Sequence, residues 1–254
     1  MAYPNDILST RSVVKHGKYA VIPPQGLVNN VIPGIENCRV SIVASPKMGA
    51  SFVQYVIEAQ KGGGTTQVFG NQANIETFIY VIDGEGTFKV DGKEYKACGG
   101  AYIYSPAGVG LEFNNTSEKV MKVLLYKQIY IPLKGKNTYV YYGNTNDIAY
   151  SEYDGMANVF IKDLLPIEIG FDMNMHILAF APGGSHGFVE THVQEHGAYI
   201  LEGEGTYLLD GQWMMIKKDD FMWFGPYVAQ AAYGVGRSNF TYIYSKDCNR
   251  DVIL

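Results

Sequence analysis

The sequence contains little cysteine and no long hydrophobic run. Cys38, Cys98 and Cys248 lie far apart in a chain of 254 residues, and no two of them form a CxxC pair. An odd, scattered set of this kind argues against a disulfide framework and favours a reducing compartment. No apolar run reaches the ~18 residues that a membrane span needs, and residues 1–18 carry no apolar segment of a signal peptide. We therefore expect a soluble, cytoplasmic protein.

The sequence is also poor in charge, and it lacks the common nucleotide-binding motifs. Charged residues make up 18% of the chain and the net charge is −5, with no basic stripe, so nucleic acid is not an expected partner. There is no Walker loop, dinucleotide-binding fingerprint or GxSxG elbow. Hydrophobic residues account for 47% of the chain, which predicts a substantial packed core rather than disorder.

Glycine and tyrosine are abundant, with counts of 29 and 20. Together with many β-branched residues, they indicate short strands joined by tight turns. Strands are predicted over 40–44, 52–57 and 77–82, with hairpin turns at 83–86 and 91–93. Residues 1–38 contain four prolines and are predicted to form an irregular arm. The expected fold class is all-β.

The chain contains an internal repeat. Residues 78–88 resemble 197–207, residues 90–92 match 209–211, and residues 104–106 match 224–226. A repeat of this length, with strands in both copies, predicts two tandem β-barrel domains. We place them at 39–131 and 164–254, joined by a linker at 132–163, and expect a short helical or turn segment over 158–165.

One motif in the second copy predicts a metal site. Glu190 and His192 share a face of an extended strand, and His196 can rejoin that face after a short turn. Gln230 adds a polar group to an apolar run after the turn at Pro226. Two imidazoles, a carboxylate and an amide oxygen favour Mn²⁺, although iron accepts similar donors. The alternatives are ordinary core or surface histidines and a buried amide that serves the backbone.

Other residues near the motif have two possible roles. Lys246 follows Tyr242 and Tyr244 at a period of two, so all three share a strand face. An inward Lys246 could carry protons or hold a carboxylate, whereas an outward one would be an ordinary solvated strand-end lysine. Tyr207 lines the pocket or packs in the core. Glu195 is predicted to point away from the site, as a surface carboxylate or one that supports the ligands.

Several remaining residues are assigned no chemistry. His186 is predicted to be a loop residue rather than a ligand, and His16 and His176 to be structural. Trp213 and Trp223 are expected core aromatics, and residues 217–220 a charged turn.

The first copy lacks the metal motif. With Tyr80 aligned to Tyr199, the motif positions hold Asn71, Ala73, Thr77, and either Gly110 or Leu111. None of these is a strong ligand set, so we expect the first copy to hold no metal. Its expected roles are fold support, packing or assembly.

These motifs make the chain similar to a known family. Two repeats of strand, GEG turn, strand and proline, with histidines in one copy, resemble a bicupin. The sequence ETHVQEHG followed by a distant Gln resembles the (S)-ureidoglycine aminohydrolases, manganese bicupins of purine (allantoin) degradation. The resemblance covers most of the chain and is strongest over 180–252. It implies Mn²⁺ binding by Glu190, His192, His196 and Gln230.

The resemblance also implies a reaction, the hydrolytic deamination of (S)-ureidoglycine to (S)-ureidoglycolate and ammonia. Lys246 would act as a proton shuttle or a carboxylate anchor, and Glu190 would double as ligand and acceptor for the substrate amine. The predicted substrate contacts are Glu190, Tyr207, Gln230, Tyr242 and Lys246. A homo-oligomer is expected. Two rival functions are a metal-dependent cupin dioxygenase and a bicupin that binds a small ligand without catalysis.

Overall fold

The computed structural model of the chain describes residues 10–247 and 249–252. Residues 1–9 of the predicted arm and Cys248 lie outside the described residues. The described part is built from strands and two short 3₁₀ turns, Pro24–Gly26 and Thr145–Asp147, which confirms the predicted all-β class.

The strands divide between the two halves of the chain. Those of the first half are β1 (Val13–Lys15), β2 (Tyr19–Ile22), β3 (Ile35–Ala44), β4 (Phe52–Thr65), β5 (Ile75–Asp83), β6 (Glu85–Val90), β7 (Lys93–Cys98), β8 (Ala101–Ser105), β9 (Glu112–Asn114), β10 (Met121–Ile129) and β11 (Tyr141–Asn144). Those of the second half are β12 (Ser151–Glu152), β13 (Val159–Asp163), β14 (Met173–Phe180), β15 (His196–Glu202), β16 (Glu204–Leu209), β17 (Gln212–Lys217), β18 (Phe221–Phe224), β19 (Gln230–Gly234) and β20 (Phe240–Asp247).

The strands form three antiparallel sheets that fold into two barrels. The first barrel is a nine-stranded sheet in the order β11-β8-β5-β10-β4-β9-β6-β7, with β3 also paired to β4. The second barrel combines the eight-stranded sheet β1-β2-β18-β15-β20-β14-β13-β12 with the three-stranded sheet β17-β16-β19. Its edge is completed by β1 and β2, because β2 pairs with β18. Part of the predicted arm is therefore ordered strand rather than irregular chain.

The internal repeat is visible in the strand register. The hairpin of β6 and β7 pairs Glu85 with Cys98, and the hairpin of β16 and β17 pairs Glu204 with Lys217. The same offset along the chain relates both pairs, as it relates Tyr80 to Tyr199. The two copies therefore share one architecture, although the predicted domain boundaries remain a prediction.

Three hydrophobic clusters hold the molecule together. One lies inside the first barrel and includes Ile57, Phe88 and Leu125. A second lies inside the second barrel and includes Leu178, Tyr207 and Tyr242. The third draws on both halves and includes Phe52, Tyr126, Tyr199 and Trp223. Strand alternation explains the division, because successive residues face opposite sides of a sheet. One face fills a barrel and the other packs the barrels together.

The interface between the barrels also contains buried carboxylates at equivalent repeat positions. Glu195 accepts hydrogen bonds from Trp223 Nε1 and the Ser51 backbone N–H, both at 2.9 Å. Glu76 accepts one from the Tyr104 hydroxyl at 2.5 Å, and its burial raises its pKa well above the ordinary value. The prediction that Glu195 points away from the site is therefore confirmed, but its side chain is buried between the barrels rather than at the surface.

Two smaller sequence predictions were wrong, and a third was incomplete. The segment predicted to be helical or a turn contains the strand β13, which pairs with β14. Trp213 is 51% exposed instead of buried. The charged turn over 217–220 is part of the interface: Lys122 of the first barrel lies 3.0 Å from the Asp219 carboxylate, and buried Asp220 pairs with Arg11. Charge patterning alone did not reveal these partners, because they are distant in sequence.

The structure also bears on the cysteines and on membrane-spanning helices. Cys38 and Cys98 are free thiols. Within residues 10–247 and 249–252, no helix is long and apolar enough to cross a membrane.

Candidate active site

Strand alternation directs the predicted site residues into the second barrel. On β15, Ala198 and Ile200 belong to the barrel interior, so His196, two residues before Ala198, faces inward. On β20, the inward tyrosines Tyr242 and Tyr244 place Lys246 on the same face. The inward face of β19 begins with Gln230, which is 3% exposed.

A local pairing brings Glu190 to the same place. Glu190 and Gln230 form an isolated antiparallel bridge, with backbone hydrogen bonds of 2.8 and 2.9 Å in the two directions. Upstream, Ser185 bridges Tyr233. Between the two bridges, the four residues 186–189 face the two residues 231–232. The two extra residues make the chain bulge outward, and Phe188 is 62% exposed. Bulges of this kind re-aim side chains beside functional sites.

The two imidazoles and the amide meet at close range. His192 Nε2 lies 3.3 Å from His196 Nε2 and 2.7 Å from Gln230 Nε2. The Tyr207 hydroxyl donates a hydrogen bond to Gln230 Oε1 at 3.0 Å. Three of the four predicted ligands therefore converge on one point inside the barrel.

Backbone carbonyls fix the tautomers of both imidazoles. His192 Nδ1 lies 3.1 Å from the Gln194 carbonyl, and His196 Nδ1 lies 2.7 Å from the Ser245 carbonyl. A carbonyl oxygen only accepts, so each Nδ1 carries the hydrogen and each Nε2 presents a lone pair. Burial lowers the pKa of His196 well below its ordinary value, and burial with the nearby Lys246 charge lowers that of His192. Both rings are therefore neutral near pH 7.

Two lone pairs that face each other in a buried site fit a bound cation. The Gln230 amide donates to His192 Nε2, but no group among the described residues donates to His196 Nε2. A half-turn of the Gln230 amide would direct its oxygen to the imidazoles and its NH₂ to the Tyr207 hydroxyl. The donor set of two imidazoles, an amide oxygen and the Glu190 carboxylate then matches a divalent ion.

The carboxylate stands apart from the imidazoles in this conformation. Across the described residues, no three His, Cys, Asp or Glu side chains are grouped closely enough to hold an ion. Burial raises the pKa of Glu190, and the Lys246 charge acts in the opposite direction. Ion binding by all four predicted residues would therefore require Glu190 to rotate toward His192 and His196.

The remaining predicted residues line the same cavity. Lys246, Tyr242 and Tyr207 face a space of about 210 Å³ together with the four predicted ligands. A cavity of this size suits a small molecule. The Tyr207 and Tyr242 hydroxyls lie 3.5 Å apart, and burial raises the pKa of both. They are therefore neutral phenols.

Six of the residues that line the cavity were not predicted from the sequence. Three of them are Leu178, Thr191 and Phe224, and the other three are a histidine and two aromatic residues. Tyr153 reaches the cavity from the predicted linker, Phe188 from the outward bulge, and His186 from the glycine loop. Only His186 gave a signal, as a histidine four residues before Glu190. The other two carry no pattern that separates them from ordinary loop aromatics.

The first barrel has no comparable centre. Phe69 and Leu111 form the bridge that corresponds to the bridge between Glu190 and Gln230. Leu111, rather than Gly110, is therefore the counterpart of Gln230. Phe69, rather than the aligned Asn71, is the counterpart of Glu190. Thr77 pairs with Ser105 as His196 pairs with Phe224. Asn71 and Ala73 are exposed. Within the described chain, the strong ligand residues of the motif are therefore confined to the second barrel.

Comparison with known proteins agrees with the fold and the repeat. The cupin domain family model matches residues 55–126 and 176–238. The chain is 51% identical over 251 residues to (S)-ureidoglycine aminohydrolase of Escherichia coli (strain K12), covering 98% of this chain and 96% of that one. It is 29% identical over 249 residues to the Arabidopsis thaliana (S)-ureidoglycine aminohydrolase, covering 95% and 79%. The crystal structure of protein Ylba from E. coli superposes with a TM-score of 0.89 at 48% identity, covering 100% of both chains.

Proposed function

Because this chain belongs to the (S)-ureidoglycine aminohydrolase family of cupins, we propose that it catalyses the hydrolytic deamination of (S)-ureidoglycine to (S)-ureidoglycolate and ammonia. The observation that carries the proposal is the convergence of His192, His196 and Gln230 with Lys246 in one small cavity. The family relationship supplies the substrate, and the cavity supplies suitable groups.

The cofactor we propose is Mn²⁺, held by Glu190, His192, His196 and Gln230. When bound, the ion would supply a Lewis acid and a template for the substrate. Support comes from the neutral imidazoles with facing lone pairs and from the two oxygen donors, which make a harder site than three histidines. Reconstitution of metal-free protein with Mn²⁺, Fe²⁺, Zn²⁺ or Mg²⁺, each added separately, tests this choice. An activity with Zn²⁺ that equals the activity with Mn²⁺ would contradict it.

The chemistry required of the protein is modest. The reacting carbon carries an amino and a ureido group, and the ureido nitrogen lone pair can help to expel the amine. The C–N bond breaks with its electrons on the leaving nitrogen, which departs as ammonia if it is protonated. Water then adds its oxygen to the same carbon and loses a proton. Two protons must therefore be handled at the cavity wall.

Two residues are placed for these protons. Lys246 extends from β20 into the cavity and can protonate the leaving amine or hold the substrate carboxylate. Glu190, whose pKa is raised by burial, can take up a proton from the amine or from water. Neutral Tyr207 and Tyr242 can donate hydrogen bonds that orient the substrate. Binding one face of the substrate carbon against this wall would give the S product.

The test measures ammonia released from freshly prepared (S)-ureidoglycine without oxygen, alongside metal content. Ammonia release under anaerobic conditions supports the hydrolase and excludes the dioxygenase alternative, which consumes O₂. Binding without ammonia release would favour the non-catalytic bicupin. Assembly into a homo-oligomer and a cytoplasmic location remain predictions, and light scattering of the purified protein tests the first.

A further inference from the structure

His186 lines the same cavity as His192 and His196 but has the opposite tautomer. The backbone N–H of Ala232 donates to His186 Nδ1 at 3.1 Å. An amide N–H only donates, so Nδ1 presents its lone pair and the hydrogen lies on Nε2. The backbone N–H of His186 donates in turn to the Ala232 carbonyl at 3.0 Å. These two bonds fix the ring against β19.

The Nε2–H of His186 belongs to a side chain that lines the cavity, and it has no acceptor among the residues that the structure describes. The side chain is 6% exposed and borders the cavity. Among residues 10–247 and 249–252, its hydrogen bonds involve only Nδ1 and the backbone. The polar groups of a buried side chain normally have a partner. An oxygen of a bound ligand would supply that partner.

We propose that His186 is a specificity-determining residue that donates this hydrogen to the ureido carbonyl oxygen of the substrate. The inference rests on the proposed function, since it assigns one contact of that substrate. It adds a role that the metal motif and the tyrosine–lysine strand do not provide. His186 would recognise the neutral end of the molecule.

The distribution of charge favours the carbonyl over the carboxylate as the acceptor. His186 is fixed against β19 of the three-stranded sheet, whereas Lys246 lies on β20 of the eight-stranded sheet. The two residues therefore approach the cavity from different sheets, and the Lys246 charge acts on Glu190 and His192. A carboxylate gains more from the ammonium, which leaves the uncharged ureido group for the neutral imidazole N–H.

Two matched substitutions separate this role from a structural one. In His186→Asn, the amide oxygen can replace Nδ1 as the acceptor for Ala232, but the cavity donor is lost. In His186→Gln, the amide NH₂ can reach the Nε2 position, but the Ala232 contact is lost. We expect H186N to raise KM for (S)-ureidoglycine about 10- to 100-fold and H186Q to stay within about 5-fold of wild type. The reverse order would mean a structural role and would overturn the proposal.

Binding of unreactive analogues provides a second readout that is independent of turnover. N-carbamoylglycine retains the ureido carbonyl and lacks the leaving amine, whereas guanidinoacetate replaces that oxygen with a nitrogen donor. Calorimetry of the metal-loaded wild type should show at least about 10-fold tighter binding of N-carbamoylglycine, and H186N should lose most of that preference. Equal affinities in the wild type, or an unchanged preference in folded H186N, would overturn the inference. Absence of ammonia release by a wild type that keeps the preference would instead overturn the proposed reaction.

Discussion

Where the second barrel carries Glu190, His196 and Gln230, the first carries Phe69, Thr77 and Leu111. The strand registers are the same, so the framework does not need the polar groups. Burial shifts the pKa of Glu190 and His196 away from the charged form. At these positions the second barrel therefore carries a desolvation cost that the uncharged residues of the first barrel do not. Groups held at such a cost are expected to perform chemistry.

The comparison also identifies one shared cation. Lys127 on β10 occupies the register position of Lys246 on β20, since Leu124 pairs with Tyr80 as Ile243 pairs with Tyr199. Lys127 Nζ lies 5.0 Å from the Phe69 ring centroid and 5.8 Å from that of Tyr55. The first barrel thus retains a lysine that packs over aromatic rings, whereas Lys246 faces the polar cavity. A lysine at this position is not sufficient for a site.

Removing an imidazole should give the largest difference between the barrels. We expect His196→Ala to lose the bound metal and to lower kcat/KM by about 10³-fold or more, because the site then has one imidazole. The matched Thr77→Ala in the first barrel should leave both quantities unchanged within about 2-fold. Metal analysis and the ammonia assay measure them. Metal retained by H196A and lost by T77A would reverse the assignment of the two barrels.

The paired lysines give the next largest contrast. Lys246→Met keeps most of the length of the side chain and removes the charge, so we expect kcat to fall about 10²- to 10³-fold if the lysine carries a proton. A rise in KM with little change in kcat would identify it as the carboxylate anchor instead. Lys127→Met should change neither parameter by more than about 2-fold. Steady-state kinetics of the three proteins decides among these outcomes, and a K127M defect equal to that of K246M would break the comparison.

Acid should weaken the second barrel more than the first. All five histidines lie outside residues 39–131, and burial lowers the pKa of His186 from 6.5 to about 4. A base with a depressed native pKa gives stability that is present above pH 6.5 and is lost as the pH falls toward 4. At pH 5 the loss is about 2 kcal/mol, or roughly 30-fold in the opening equilibrium.

Hydrogen exchange of the metal-free protein at pH 7 and pH 5, corrected for intrinsic rates, measures this difference barrel by barrel. The His186→Asn variant is the control, since it keeps the Ala232 contact and should lose less protection in acid. Equal loss of protection in both barrels would show that they open as one unit. Glu76 in the interface acts in the opposite direction, because its pKa is raised by burial, so the comparison must use peptides from the barrel interiors.

The sequence predicted the parts of this molecule that follow from local pattern. The two copies, the hairpins and the strand face shared by Tyr242, Tyr244 and Lys246 follow from turn residues and the two-residue strand period. The strand period alone left open whether Lys246 points inward or outward. The position of Glu190 opposite Gln230 does not follow from these patterns, because it depends on a bulge that shifts the alignment with the first copy by two residues. A register shift of this kind is set by long-range pairing.

Residues that act across the interface were the least predictable. Glu195, Asp219 and Asp220 look like ordinary surface acids in sequence, but their partners lie in other parts of the chain. Trp213 and Trp223 have the same propensity to be buried, and only the tertiary position of each strand separates them. The tautomer of His186 likewise depends on Ala232, which follows it by 46 positions.

The smallest expected effect concerns the contact that joins the two barrels. Lys122 lies 3.0 Å from the Asp219 carboxylate and 5.4 Å from the Tyr199 ring centroid, with side-chain exposures of 21% and 35% for the ion pair. Partly exposed pairs contribute about 1 kcal/mol or less, which corresponds to roughly 2–4 °C in Tm for a chain of this size. Lys122→Met should therefore lower Tm by that amount. High salt should reduce the difference in Tm between the variant and the wild type, because salt screens the ion pair.

Lys61→Met tests the exposed pair with Glu118 on the first barrel, where the side chains are 64% and 80% exposed, and it should leave Tm within about 1 °C of wild type. Calorimetry shows in the same scan whether unfolding stays a single transition. If K122M splits the transition in two, the barrels are separate folding units held together by the interface. If K61M lowers Tm as much as K122M, the contact between the barrels contributes no more than an ordinary surface pair. The shared hydrophobic cluster of Phe52, Tyr126 and Trp223 would then account for the joining of the two barrels.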